Sequence, residues 1–215
     1  PPRSTLFPYT TLFRSQEVPD TCAKCHTSAG FLDFIGADGS AVGSVETLPS
    51  SAEPTILTCE TCHADAALNL NEAIFPSGVQ VTGFGRDTVC ITCHTGRNSL
   101  MDIDNLFQGA AEGEIRESNF LNIHYASAAA SCFGAEARMG AEYPGKTYVS
   151  YKKHAGSMQA CVDCHDPHTL QVDLNTCSTC HIGLNQKGDL HNIRMSTMDF
   201  DNDGNTTEGV YYEIE

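Results

Sequence analysis

Residues 161–181 read CVDCHDPHTLQVDLNTCSTCH, and the pentapeptides at their two ends decide the fold. Each is Cys-x-x-Cys-His, and three more lie upstream. The five sets are Cys22, Cys25 and His26; Cys59, Cys62 and His63; Cys90, Cys93 and His94; Cys161, Cys164 and His165; and Cys177, Cys180 and His181. They consume ten of the eleven cysteines. The pattern is the attachment signature of c-type haem. On a helical turn, positions three apart are neighbours, so two thiols can bond the two vinyl groups of one porphyrin. The histidine that follows lies beneath the ring, where a neutral imidazole can ligate iron with its other nitrogen bonded to a backbone carbonyl. Zinc sites and thioredoxin-like pairs also use cysteines three apart, but neither accounts for the repeated histidine. The expectation is five covalently attached haems with His26, His63, His94, His165 and His181 as proximal ligands.

Four histidines lie outside the motifs: His124, His154, His168 and His191. Each is a candidate distal ligand, and a second histidine on iron closes the coordination sphere and suits electron transfer. His168 follows its motif too closely to reach over its own haem, so it is expected to serve a neighbour. Pro167 stiffens that exit. A fifth distal ligand could come from Met101, Met139, Met158, Met195 or Met198, from another chain, or be absent, leaving one iron open. Cys132 is expected to be a small buried side chain.

Bulk composition agrees that side chains alone make a thin core. Aromatic residues are 8% of the 215, tryptophan is absent, and 18 glycines and 9 prolines interrupt the chain. With about one haem per forty usable residues, each porphyrin must nearly touch its neighbours. The expected fold is therefore mainly short helices and irregular coil with little β, organised around stacked haems. Short helices are expected at each motif, with a longer one around 109–138 bearing His124. Turns are expected at Pro76-Ser77-Gly78 and Pro144-Gly145, and one brief hairpin near 79–84. A net charge of −15 excludes general nucleic-acid binding, which depends on a lysine and arginine excess. No apolar run approaches the ~20 residues of a membrane span.

Three segments are distinguished. Residues 1–15, containing TLFPYTTLFRS, resemble a translated sequencing adapter and are set aside from fold reasoning. Residues 16–198 form the pentahaem domain. Residues 199–215 begin with Asp199-Phe200-Asp201-Asn202-Asp203-Gly204, the start of a calcium-binding EF-hand loop. Val210 occupies the position where a bidentate glutamate is expected, and Glu208 is the nearby substitute. Asp199, Asp201, Asp203 and Glu208 are thus candidate calcium ligands. The chain then stops without a helix cap and reads as a fragment.

The phrases FPSGVQV, CITCHTGR, SNFLNIHYASAAA, EYPGKTY and CVDCHDPHTLQVDLNTCSTCH resemble those of outer-surface and periplasmic multihaem cytochromes of metal-reducing bacteria, some of which polymerise into conductive filaments. The resemblance extends over most of the chain from Cys22. It implies His124, His154 and His168 as distal ligands, export to the periplasm or cell exterior, and a chain of haems in near contact. The expected role is an electron conduit without catalytic residues, serving redox proteins or extracellular acceptors, with a homopolymer as one form. The alternative is a multihaem reductase with one open iron acting on a small oxyanion. Its sequence mark, a lysine in place of a motif histidine, is absent.

Overall fold

The computed structural model describes residues 18–46 and 57–214, apart from 119, 123, 125, 126, 144 and 152. Residues 1–15 and Pro144 lie outside the described set, so the expectations placed on them are not addressed. Ten short elements follow one another in chain order: α1 (Asp20–His26), α2 (Ser28–Phe34), α3 (Glu60–His63), α4 (Asp65–Leu68), β1 (Glu72–Ile74), β2 (Gln80–Thr82), α5 (Asp87–Cys93), α6 (Leu100–Phe107), α7 (Ala128–Phe133) and α8 (Leu174–Ser178). Single 3₁₀ turns lie at Gly134–Glu136, Cys161–Asp163, Lys187–Asn192 and Tyr212–Ile214. The protein is therefore mainly short helix and coil, and its described β structure is one two-stranded sheet.

The chain forms two compact units, residues 1–154 and 155–215. Motifs 1–3 fall in the first and motifs 4 and 5 in the second.

In the first unit, Thr27 ends α1 and caps α2, its hydroxyl accepting from Gly30 N at 2.9 Å. Gly30 is required there, because a Cβ would lie 2.5 Å from the Ala23 carbonyl carbon. That close approach packs α2 onto α1. Phe31 and Ile35 then join Ala67 and Val89 in one apolar cluster, so residues from the first three motif regions share a core.

The hairpin forms a second core. Its strands pair antiparallel with Ala73 opposite Val81, and both side chains are buried. The turn falls at Pro76-Ser77-Gly78 as expected, but the hairpin starts upstream of 79–84, because Glu72–Ile74 supplies the partner strand. Phe75, Phe84 and Tyr151 surround Phe133, with ring centroids at 5.3, 5.2 and 4.5 Å from it.

Among the described residues of 109–138 the expected long helix does not form; the helical parts are α7 and the 3₁₀ turn after it. Gly109 and Gly113 sit at φ +72° and +80°, and His124 at +57°. The Asn122 side chain accepts from His124 N at 2.9 Å, a local turn that competes with helix formation. Cys132 lies on α7 and is exposed, which corrects its expected burial.

The second unit has a different interior. None of its described hydrophobic side chains is buried. Ile182 is 98% exposed and Met195 87%. Hydrogen-bonded carboxylates organise its backbone: Asp163 accepts from Gln159 N and Ala160 N, Asp166 from His168 N and Thr169 N, and Asp173 from Asn175 N and Thr176 Oγ1. Asp189 does the same for Asn185 N and Gln186 N.

Candidate haem-attachment sites

The five motifs adopt one local geometry. Motif 1 lies within α1, one turn placing Cys22 and Cys25 side by side. In motifs 2–5 the histidine N–H donates to the carbonyl of the first cysteine: His63 to Cys59 at 2.9 Å, His94 to Cys90 at 3.0 Å, His165 to Cys161 at 2.9 Å and His181 to Cys177 at 2.9 Å. Every copy therefore closes a helical turn on its own histidine, although the flanking elements range from a seven-residue helix to a 3₁₀ turn. None of the eleven cysteines is in a disulfide, and all are exposed or half-buried. Among the described residues no three Cys or His donor atoms converge.

In motif 4 the histidine ring meets a backbone carbonyl. His165 Nδ1 lies 3.4 Å from the Leu170 carbonyl oxygen. A proton on Nδ1 leaves the Nε2 lone pair for a metal, which is how iron-ligating imidazoles are oriented. The turn is built for this contact. Leu170 N donates to Asp166 O at 2.7 Å, Asp166 N to Gln171 O at 2.9 Å, and His165 pairs with Val172 in an isolated bridge. Leu170 takes φ +58°, a left-handed conformation uncommon for a branched side chain.

In motif 1, burial and then the neighbouring His124 imidazole hold His26 below its ordinary pKa. His124 belongs to a loop pinned to the exit of motif 3, since Asn98 N donates to Asn122 O at 3.3 Å and Ala130 N to His94 O at 3.1 Å. Thiols of different motifs also approach one another. Cys25 and Cys93 share a hydrogen bond, which holds Cys25 down at about 7 and, together with burial, drives Cys93 upward. Burial, then a nearby Cys90, raises Cys62; burial, then Cys177, raises Cys164.

The other candidate distal histidines are placed as follows. His154 and His168 are exposed. The His191 ring stacks on Tyr211 at 3.9 Å and 5°. Of the methionines, Met139 is buried in the aromatic core, whereas Met195 and Met198 are exposed.

The acidic loop gathers more carboxylates than its sequence register indicates. One oxygen each of Asp199, Asp201 and Glu213 lies within 4.8 Å of the others, and so does one each of Asp201, Asp203 and Glu208. Glu213, buried in the Tyr212–Ile214 turn, was not among the sequence candidates. Its carboxylate accepts from Phe200 N at 2.6 Å and pairs with Arg194, whose guanidinium also bonds Glu208 O and Ser196 O. Asp199 Oδ1 and Glu208 Oε1 are buried without a hydrogen-bond partner. Burial, then Asp203, Asp201 and Glu213, pushes Glu208 upward.

Neither a family model, nor a curated protein, nor a solved structure matches this chain. Among the described residues no helix is long and apolar enough to cross a membrane.

Proposed function

We propose that this chain is an electron conduit holding five c-type haems, exported to the periplasm or cell exterior and passing electrons to redox proteins or extracellular acceptors. One observation carries the reading. The second unit is compact, yet no described hydrophobic side chain in it is buried. A polypeptide of that size has little to offset its conformational entropy without an apolar interior. It does carry two turns of identical geometry that present thiols one turn apart and an imidazole beside them. Two porphyrins on motifs 4 and 5 would supply the missing apolar contact for Val162 and Ile182, each of which adjoins a motif residue.

The residues fit the cofactor chemically. Cys22, Cys25, Cys59, Cys62, Cys90, Cys93, Cys161, Cys164, Cys177 and Cys180 would hold the five porphyrins as thioethers, and the five motif histidines would ligate iron. His165 is oriented for this role by Leu170. Bound haem supplies one-electron chemistry, while the protein sets spacing, ligation and local charge. Stacking of the haems, and assembly into filaments, extend the same proposal. The test is expression with a c-type maturation system, followed by intact mass and the Soret band. Five porphyrins per chain are expected; a bare polypeptide mass would end the reading.

Calcium is proposed for the acidic loop. Asp199, Asp201, Asp203 and Glu208, joined by Glu213, are oxygen donors of the kind calcium takes in numbers of six to eight. Two buried carboxylate oxygens without hydrogen-bond partners support it. Calorimetric titration with calcium tests it, one site per chain being the expected stoichiometry.

A further inference from the structure

Motif 1 and motif 3 meet along a seam that bypasses sequence order. Helices α1 and α5, which carry Cys25 and Cys93, the second cysteine of each motif, pack against each other. Cys93 Sγ also lies 4.0 Å from the Lys24 carbonyl oxygen. Lys24, between the two cysteines of motif 1, donates from Nζ to Thr95 Oγ1 at 3.1 Å, and Thr95 directly follows the histidine of motif 3. The Thr95 hydroxyl in turn donates to Thr92 O at 3.1 Å, which leaves its lone pairs for the ammonium. The same ammonium stands 4.5 Å from the centroid of the Phe34 ring. Motif 2 meets the exit of motif 1 elsewhere, its Thr61 hydroxyl 2.7 Å from Ser28 Oγ, and its Cys62 has Cys90, the other cysteine of motif 3, as a neighbour.

Resting on the conduit reading above, we infer that the haems of motifs 1 and 3 are direct electron-exchange partners, meeting along the edges that carry Cys25 and Cys93, with Lys24 as a fixed cation at their junction. A thioether sulfur is one carbon removed from its pyrrole ring. Two such sulfurs, brought into contact by this seam, would separate the two π-systems by a few bonds and one van der Waals gap. Exchange between them moves one electron from a ferrous to a ferric iron. No bond forms or breaks, and no proton or further reactant is needed. A direct link from motif 1 to motif 3 then stands beside the sequential one through motif 2.

Lys24 adds a consequence that a purely structural seam would lack. A positive charge close to both irons disfavours the ferric state at each, so it raises both reduction potentials. Its half-buried position strengthens the effect by lowering the local dielectric.

The experiment uses the full haem-loaded chain. A density map at side-chain resolution gives the Cys25–Cys93 separation, and potentiometric titration compares the unaltered chain with Lys24→Met and Lys24→Arg. Sulfurs in contact with no porphyrin between them are expected. Lys24→Met is expected to lower the midpoints of two of the five haems, and Lys24→Arg to retain them. A motif 2 porphyrin lying between Cys25 and Cys93, or a Lys24→Met chain with no midpoint lowered or one alone, overturns the assignment. Should Lys24→Met fail to load, the map of the unaltered chain decides by itself. A chain that loads no haem sinks the conduit reading, whereas a five-haem chain with these sulfurs apart sinks this inference only.

Discussion

His165 Nδ1 lies 3.4 Å from the carbonyl oxygen of Leu170, five residues ahead in the chain. The contact depends on Asp166, whose side chain accepts from His168 N and Thr169 N and so folds the turn that returns Leu170. A carbonyl accepting from Nδ1–H makes the other nitrogen a stronger donor and favours ferric iron. Asp166→Ala is therefore expected to raise the potential of one haem and leave the haem count at five. Potentiometric titration with intact mass checks both; an unchanged potential would show that the carbonyl does not tune the iron.

The second unit should be acid-sensitive. Hydrogen bonds from backbone and side-chain donors hold Asp163, Asp166, Asp173 and Asp189 below the ordinary 3.8. Folded values that are depressed contribute stability that is complete above the unfolded value and lost as pH falls through the folded ones. Circular dichroism of the haem-loaded chain on acidification should show loss of structure below about pH 4, and Asp173→Asn should move the transition to higher pH. A transition unaffected by that substitution would count against the carboxylates.

Phe133 anchors the aromatic core of the first unit at 2% exposure. Truncation to alanine removes its contacts with Phe75, Phe84 and Tyr151 and should cost about 3–5 kcal/mol. Urea unfolding followed by tyrosine fluorescence measures the loss. The haem number should not change, because the one motif residue in that cluster, Ile91, is neither a thioether nor an iron-ligand position.

Calcium removal should act on the end of the second unit. Chelation is expected to lower its melting temperature, and Asp201→Asn to abolish the calcium response, since Asp201 belongs to both carboxylate groups. Glu213→Gln should weaken binding and also loosen the Arg194 clamp. Differential scanning calorimetry with and without calcium separates the two effects. A melting temperature indifferent to chelator would leave the loop as an acidic turn held by Arg194 alone.

What the sequence could disclose followed the range of the interactions involved. Cysteines three apart with an adjoining histidine fix a single turn, so the local geometry of all five motifs was legible from spacing. The Pro76-Ser77-Gly78 turn was legible for the same reason. The Asn122 side-chain bond that turns His124 out of a helix was harder to foresee, because apolar small residues on both sides favour the helix in a periodicity count. Glu213 was missed because it arrives from three residues beyond the expected EF-hand position, carried by a 3₁₀ turn and fixed by Arg194. An acidic residue just past a failed register was the available signal. The approach of Cys25 to Cys93 is tertiary and left no trace in either motif.

The second unit's lack of an oily interior has a consequence for how such a protein is made. Under the proposed haem loading, its folding and its loading would be a single event, with no finished shell waiting to be filled. Copies short of porphyrin would then stay open to proteases, so turnover itself would purge incompletely loaded chains before one missing link could break the proposed relay.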